Sequence, residues 1–164
     1  MKISNWWIPI PEKSIEQQKK EQNTMYGQDF YSQLNFTLEV TGSDQCITLT
    51  PVLLVESSRE RTLVAAFLID GIEMIASTRI VLQPGRKEHP FCCSALIHRP
   101  VLYAAAEDPR RASYFFTIRF YQAGAVCCEL QKEAVFAADQ LRTLKEGEKM
   151  TPLFIAEKSC FENM

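Results

Sequence analysis

Six cysteines, two histidines and scattered carboxylates are the groups in this chain able to do chemistry, and their spacing limits which chemistry. The cysteines are Cys46, Cys92, Cys93, Cys127, Cys128 and Cys160. Zinc sites draw two thiolates onto one ion through spacings such as C-x-x-C, which the chain lacks. Neighbours in a strand face opposite sides, so Cys92-Cys93 and Cys127-Cys128 are each expected to turn one sulfur inward and one outward. The inward members then read as small buried hydrophobes in a reducing compartment, with a disulfide between the two strands left open. His89, in the turn before Pro90, and His98, at the end of a strand, read as structural or exposed. Neither has a closely spaced second metal ligand or an acyl-transfer elbow nearby.

Other constellations are equally thin. Six glycines without a cluster leave no loop to close backbone N–H groups on a phosphate. Glu107-Asp108, before Pro109, reads as a polar loop. Asn35-Phe36-Thr37 fits the glycosylation acceptor pattern but falls inside an expected strand. Trp6 and Trp7 offer large apolar area at low rotamer cost. They either anchor a contact with a partner or fold back onto the protein's own body. Arg110 and Arg111, in Asp108-Pro109-Arg110-Arg111, read as a solvated turn; with Trp6, Trp7 and Tyr103 they make up the candidate binding residues. No catalytic residue, metal or cofactor is expected.

The elements that must hold these groups announce themselves by alternation. Leu34, Phe36, Leu38 and Val40 recur at every second position, as do Tyr114, Phe116, Ile118 and Phe120. That period means strands with one face on a core. Strands are expected at 33–40, 46–55, 62–69, 72–82, 91–97, 113–122 and 125–133. Turn chemistry separates them, most sharply Asp70-Gly71, whose glycine tolerates the positive φ of a tight hairpin. Regular short strands suggest an antiparallel β-sandwich with short helical N- and C-terminal extensions, which the resemblance given below makes immunoglobulin-like, a small barrel being the competing arrangement. Three zones follow: an N-terminal arm over 1–30, a β-sandwich domain over 31–136 and a C-terminal extension over 137–164. Ser14-Ile15-Glu16-Gln17 fits a helix-capping box in the arm. In the extension, 137–145 is expected to form a helix ending near Gly147, and 153–156 a final short strand.

Length and composition fit one soluble domain: 164 residues, 46% hydrophobic and 23% charged. A formal net charge of -2 lacks the basic balance of a nucleic-acid binder. No apolar run nears the roughly 18 residues that span a bilayer. Pro9 and Pro11 cut the N-terminal apolar patch short of a signal-peptide core, so a cytoplasmic protein is expected.

From Thr62 onward the order of features resembles the immunoglobulin-like sandwich domain of family-two glycoside hydrolases. A strand runs into an Asp-Gly hairpin at Phe67-Leu68-Ile69-Asp70-Gly71, and a return strand follows from Glu73 to Leu82. Next come a proline with an apolar-aromatic pair, Arg99-Pro100-Val101-Leu102-Tyr103, and the aromatic-aliphatic strand from Tyr114 to Phe120. Tyr103 stands where that family usually has tryptophan. Its acid and nucleophile belong to a separate barrel, so the resemblance implies a scaffolding or interface module without chemistry of its own. The expected role is non-catalytic protein–protein interaction, as a small subunit of a larger assembly or a homo-oligomer. Two alternatives stand beside it. One is a carbohydrate-binding sandwich using Trp6, Trp7 or Tyr103 as a platform; the other is an enzyme whose site assembles from His98, Glu107 and Asp108.

Overall fold

The computed structural model describes residues 3–6, 30–108 and 113–162. The described chain is built almost entirely of antiparallel strands in two sheets. The strands are β1 (Ile3–Trp6), β2 (Asn35–Gly42), β3 (Cys46–Leu54), β4 (Arg61–Ile69), β5 (Ile72–Leu82) and β6 (Glu88–Pro90). They continue with β7 (Ala95–His98), β8 (Ser113–Gln122), β9 (Ala125–Val135), β10 (Lys149–Met150) and β11 (Leu153–Glu162). Two helices interrupt them, α1 (Arg99–Glu107) and α2 (Ala138–Thr143). The larger sheet runs β1-β11-β9-β8-β4-β5. The smaller runs β10-β2-β3-β6, with β7 also pairing to β3.

Alternation builds the core. Phe36, Leu38 and Val40 of β2 and Ile47, Leu49 and Leu53 of β3 meet Phe67 of β4, Phe116, Ile118 and Phe120 of β8 and Leu130 of β9 in one buried cluster. Each such side chain stabilises the fold by about 1.5–3 kcal/mol through area withdrawn from water. The rings of Phe67 and Phe116 stack at 6.0 Å, and Phe136 meets Phe116 edge-on at 6.2 Å. The Asp70-Gly71 hairpin joins β4 to β5 with φ of 50° and 81° at its two residues, the left-handed conformations that a tight hairpin requires.

Four expectations need correction. Of the strand expected over 91–97, only 95–97 is strand, in β7; 91–94 is a break, and a further short strand, β6, precedes it. Pro51 of β3 explains the break: it has no N–H to give to a ladder. The neighbouring strand therefore pairs with Val52–Leu54 and again with Cys46–Leu49, and leaves the ladder between them. The Pro51 carbonyl still accepts a bond from Phe91 N at 2.9 Å. His89 lies inside β6, buried, and not in a turn. Its Nε2–H is shared between the carbonyls of Arg86 (3.1 Å) and Val55 (3.3 Å), which fixes the tautomer.

The third correction is α1, which occupies the proline-containing segment and its following loop. Pro100 sits in the first turn, where its missing N–H costs nothing and its fixed φ suits a helix. The fourth concerns the cysteine pairs, neither of which splits inward and outward. Cys92 and Cys93 lie in the 91–94 break and are both exposed. Cys127 and Cys128 are both buried. Between β8 and β9, Phe120 pairs with Cys128 and Tyr121 with Val126, so Cys127 is an extra residue in a β-bulge that breaks the alternation.

The C-terminal elements are close to expectation at the helix and longer at the strand. Residues 138–143 are helical, and Gly147 has a φ of 83° beyond the helix end. The last strand extends through ten residues, pairing with β9 on one side and β1 on the other. The capping box at 14–17 lies outside the described residues.

Candidate functional site

Of the candidate binding residues, Trp6 and Tyr103 fall within the described residues, in different elements. Trp6 contributes backbone to β1, opposite Ser159 of β11. Tyr103 lies in α1. Trp7, Arg110 and Arg111 lie outside the described residues. Of the groups in the enzyme alternative, His98 lies at one end of α1 and the Glu107-Asp108 pair at the other. His98 precedes the N-terminus of α1 and Glu107 ends it, about 13 Å along the axis at 1.5 Å per residue. Glu107 is held in an ion pair with Arg142 of α2. Among the described residues, no group of three or more His, Cys, Asp or Glu side chains is placed to hold a metal ion.

One cavity does contain chemistry that the sequence reading passed over. About 350 Å³ in volume, it is lined by Leu34, Asn35, Phe36, Gln131, Lys132 and Ser159, among others. Lys132 falls on the inward phase of β9, between Leu130 and Ala134, so the same alternation that located the core also places this amine within it. Only 8% exposed, Lys132 donates from Nζ to the Phe36 carbonyl at 2.5 Å and so ties β9 to β2 across the core. The Phe36 and Phe154 rings lie 5.1 Å and 4.7 Å from the ammonium, within cation–π range. Glu157 approaches to 3.8 Å. Burial lowers the Lys132 pKa, and the Glu157 carboxylate opposes that shift. Ser159 is wholly buried, and its hydroxyl has no hydrogen-bond partner among the described residues. The cavity can therefore take a water or a small polar guest, while its lysine already has a structural task.

The second feature is an edge. β5 ends the larger sheet, and among the described residues no strand pairs with its outer side. It is eleven residues long and presents Ile72 (66% exposed), Met74 (38%) and Val81 (43%) to solvent. Long apolar edges with free N–H and C=O groups are where sheets recruit another strand. Glu73 and Arg79 are the strand's charged side chains, and it contains no proline.

Among the described residues no helix is long and apolar enough to cross a membrane. No protein-family model matches this chain, and neither a curated protein nor a solved structure matches it.

Proposed function

We propose that the protein is a non-catalytic, immunoglobulin-like β-sandwich module acting through protein–protein contact, as a small subunit of a larger assembly or as a homo-oligomer. Strand connectivity supports the fold assignment. The order β2-β3-β6/β7 in one sheet and β5-β4-β8-β9 in the other follows the A-B-E and C′-C-F-G orders of immunoglobulin sandwiches. The Asp-Gly hairpin after β4 and the aromatic alternation of β8 support the likeness to the glycosidase sandwich domain. Cys46, Cys92, Cys93 and Cys128, free thiols, suit a reducing cytoplasm.

The observation that carries the functional reading is the β5 edge, which no strand among the described residues pairs. A partner strand laid against it gains main-chain hydrogen bonds for affinity and finds Ile72, Met74 and Val81 for specificity. Size-exclusion with light scattering, together with retention of a partner from the native cell, tests this. Wild type is expected above the 18.8 kDa monomer mass or holding a partner. A Met74→Lys, Val81→Lys double variant is expected to lose that association with its circular dichroism unchanged. Leu96→Lys, exposed on β7 of the other sheet, serves as the control and is expected to keep it. A strictly monomeric wild type that holds no partner, or an edge variant that associates normally, would overturn the reading.

A further inference from the structure

We propose that Cys92 and Cys93 form a two-thiolate binding site for a soft, thiophilic metal ion of the copper(I) class. The site begins with Pro51, whose missing donor forces the 91–94 segment out of the ladder and carries both thiols to the surface. The segment is pinned on both sides of the pair. Phe91 is buried with its N–H bonded to the Pro51 carbonyl, and Ser94 Oγ meets Thr50 Oγ1 at 2.6 Å. The two sulfurs stand 3.8 Å apart, with Thr78 Oγ1 of β5 3.5 Å from Cys92 Sγ.

That separation suits a bridging ion better than a disulfide. Adjacent Cα atoms across a trans peptide are about 3.8 Å apart, short of the roughly 4.4–6.8 Å that disulfides prefer. With metal–thiolate bonds of about 2.3 Å, sulfurs 3.8 Å apart subtend about 110° at an ion between them. Thiolates select soft ions, copper(I) among them. Because the described residues supply no third ligand here, a closed four-ligand zinc site is not complete. Copper(I) accepts few ligands, and its remaining positions would face solvent.

Binding is a coordination step without redox change: both S–H protons pass to solvent, and the ion joins two thiolates.

The test titrates the reduced full chain with copper(I) under anaerobic conditions against a chromogenic copper(I) chelator. One equivalent is expected to transfer to the protein. Cys92→Ser and Cys93→Ser are each expected to weaken binding by roughly 100-fold or more, the loss that follows when a second tethered ligand is removed. Equal copper uptake by the double serine variant would assign binding to the other cysteines and overturn the proposal, as would single variants that bind like wild type. Alkylation of the unmutated protein provides an independent check. Copper(I) is expected to protect both Cys92 and Cys93 from iodoacetamide, and free alkylation of either in its presence would refute the site.

Discussion

Arg99 shows how much a single side chain can organise here. Only 9% exposed, its guanidinium donates from Nε to Ser43 O at 2.7 Å, from Nη1 to Leu141 O at 2.9 Å and from Nη2 to Leu144 O at 2.8 Å. It thereby joins the start of α1 to the β2–β3 turn and satisfies carbonyls at the end of α2, the favoured place for a cation. Lysine cannot reproduce a planar fork with donors in three directions. Arg99→Lys is expected to lower stability by about 2–4 kcal/mol, read as the shift in urea midpoint at constant slope. Little of this was legible beforehand, because its acceptors are backbone carbonyls more than forty residues away. Lys132 was legible: its place in the inward phase of β9 follows from the neighbouring Leu130 and Ala134 alone.

At the scale of elements, strand positions could be read from alternation because burial on one face writes period two into the sequence. The exceptions arise where the backbone leaves that period. Pro51 splits its partner strand, and the bulge at Cys127 brings two neighbours indoors together. Pro100 stands in the first turn of α1, and the run of three alanines at 104–106 suits the helix that follows. Contacts between elements were less visible still. Gly42 ends β2 against the segment after α2, and a Cβ there would lie 2.7 Å from the Lys145 carbonyl oxygen and 2.9 Å from Leu144 Cγ. Its own N–H and C=O bond Glu148 O at 3.0 Å and Gly147 N at 2.9 Å, so the two segments cannot simply separate. Gly42→Ala is expected to cost about 1–3 kcal/mol through overpacking, measured by thermal or urea unfolding.

For the whole molecule, the buried acids set how stability responds to alkali. Desolvation raises the pKa of Tyr31 above its ordinary 10.0 and those of Cys128 and Cys160 above 9.0. The unfolded chain therefore loses these protons first, so their stabilising contribution is complete below about pH 9 and declines as pH climbs. Lys132, lowered from 10.5, works in the opposite sense, since the unfolded chain keeps that proton longer. Three acids outweigh one amine, and urea midpoints are expected to fall above pH 9. Cys128→Ala is expected to flatten that fall by up to about 1.4 kcal/mol per pH unit, the share of one titrating group. A midpoint unchanged between pH 8 and 10.5 would contradict this account.

The position of β11 has a consequence for how the polypeptide is made. Its neighbours in the sheet are β9 and β1, so β1 leaves a ribosome long before β11, the strand it pairs with, has been made. Such distant pairing is slow, since a long loop must close before the contact stabilises anything. Until then β9 keeps an unpaired flank, and a nascent chain stalled before Leu153 would present it to any passing strand.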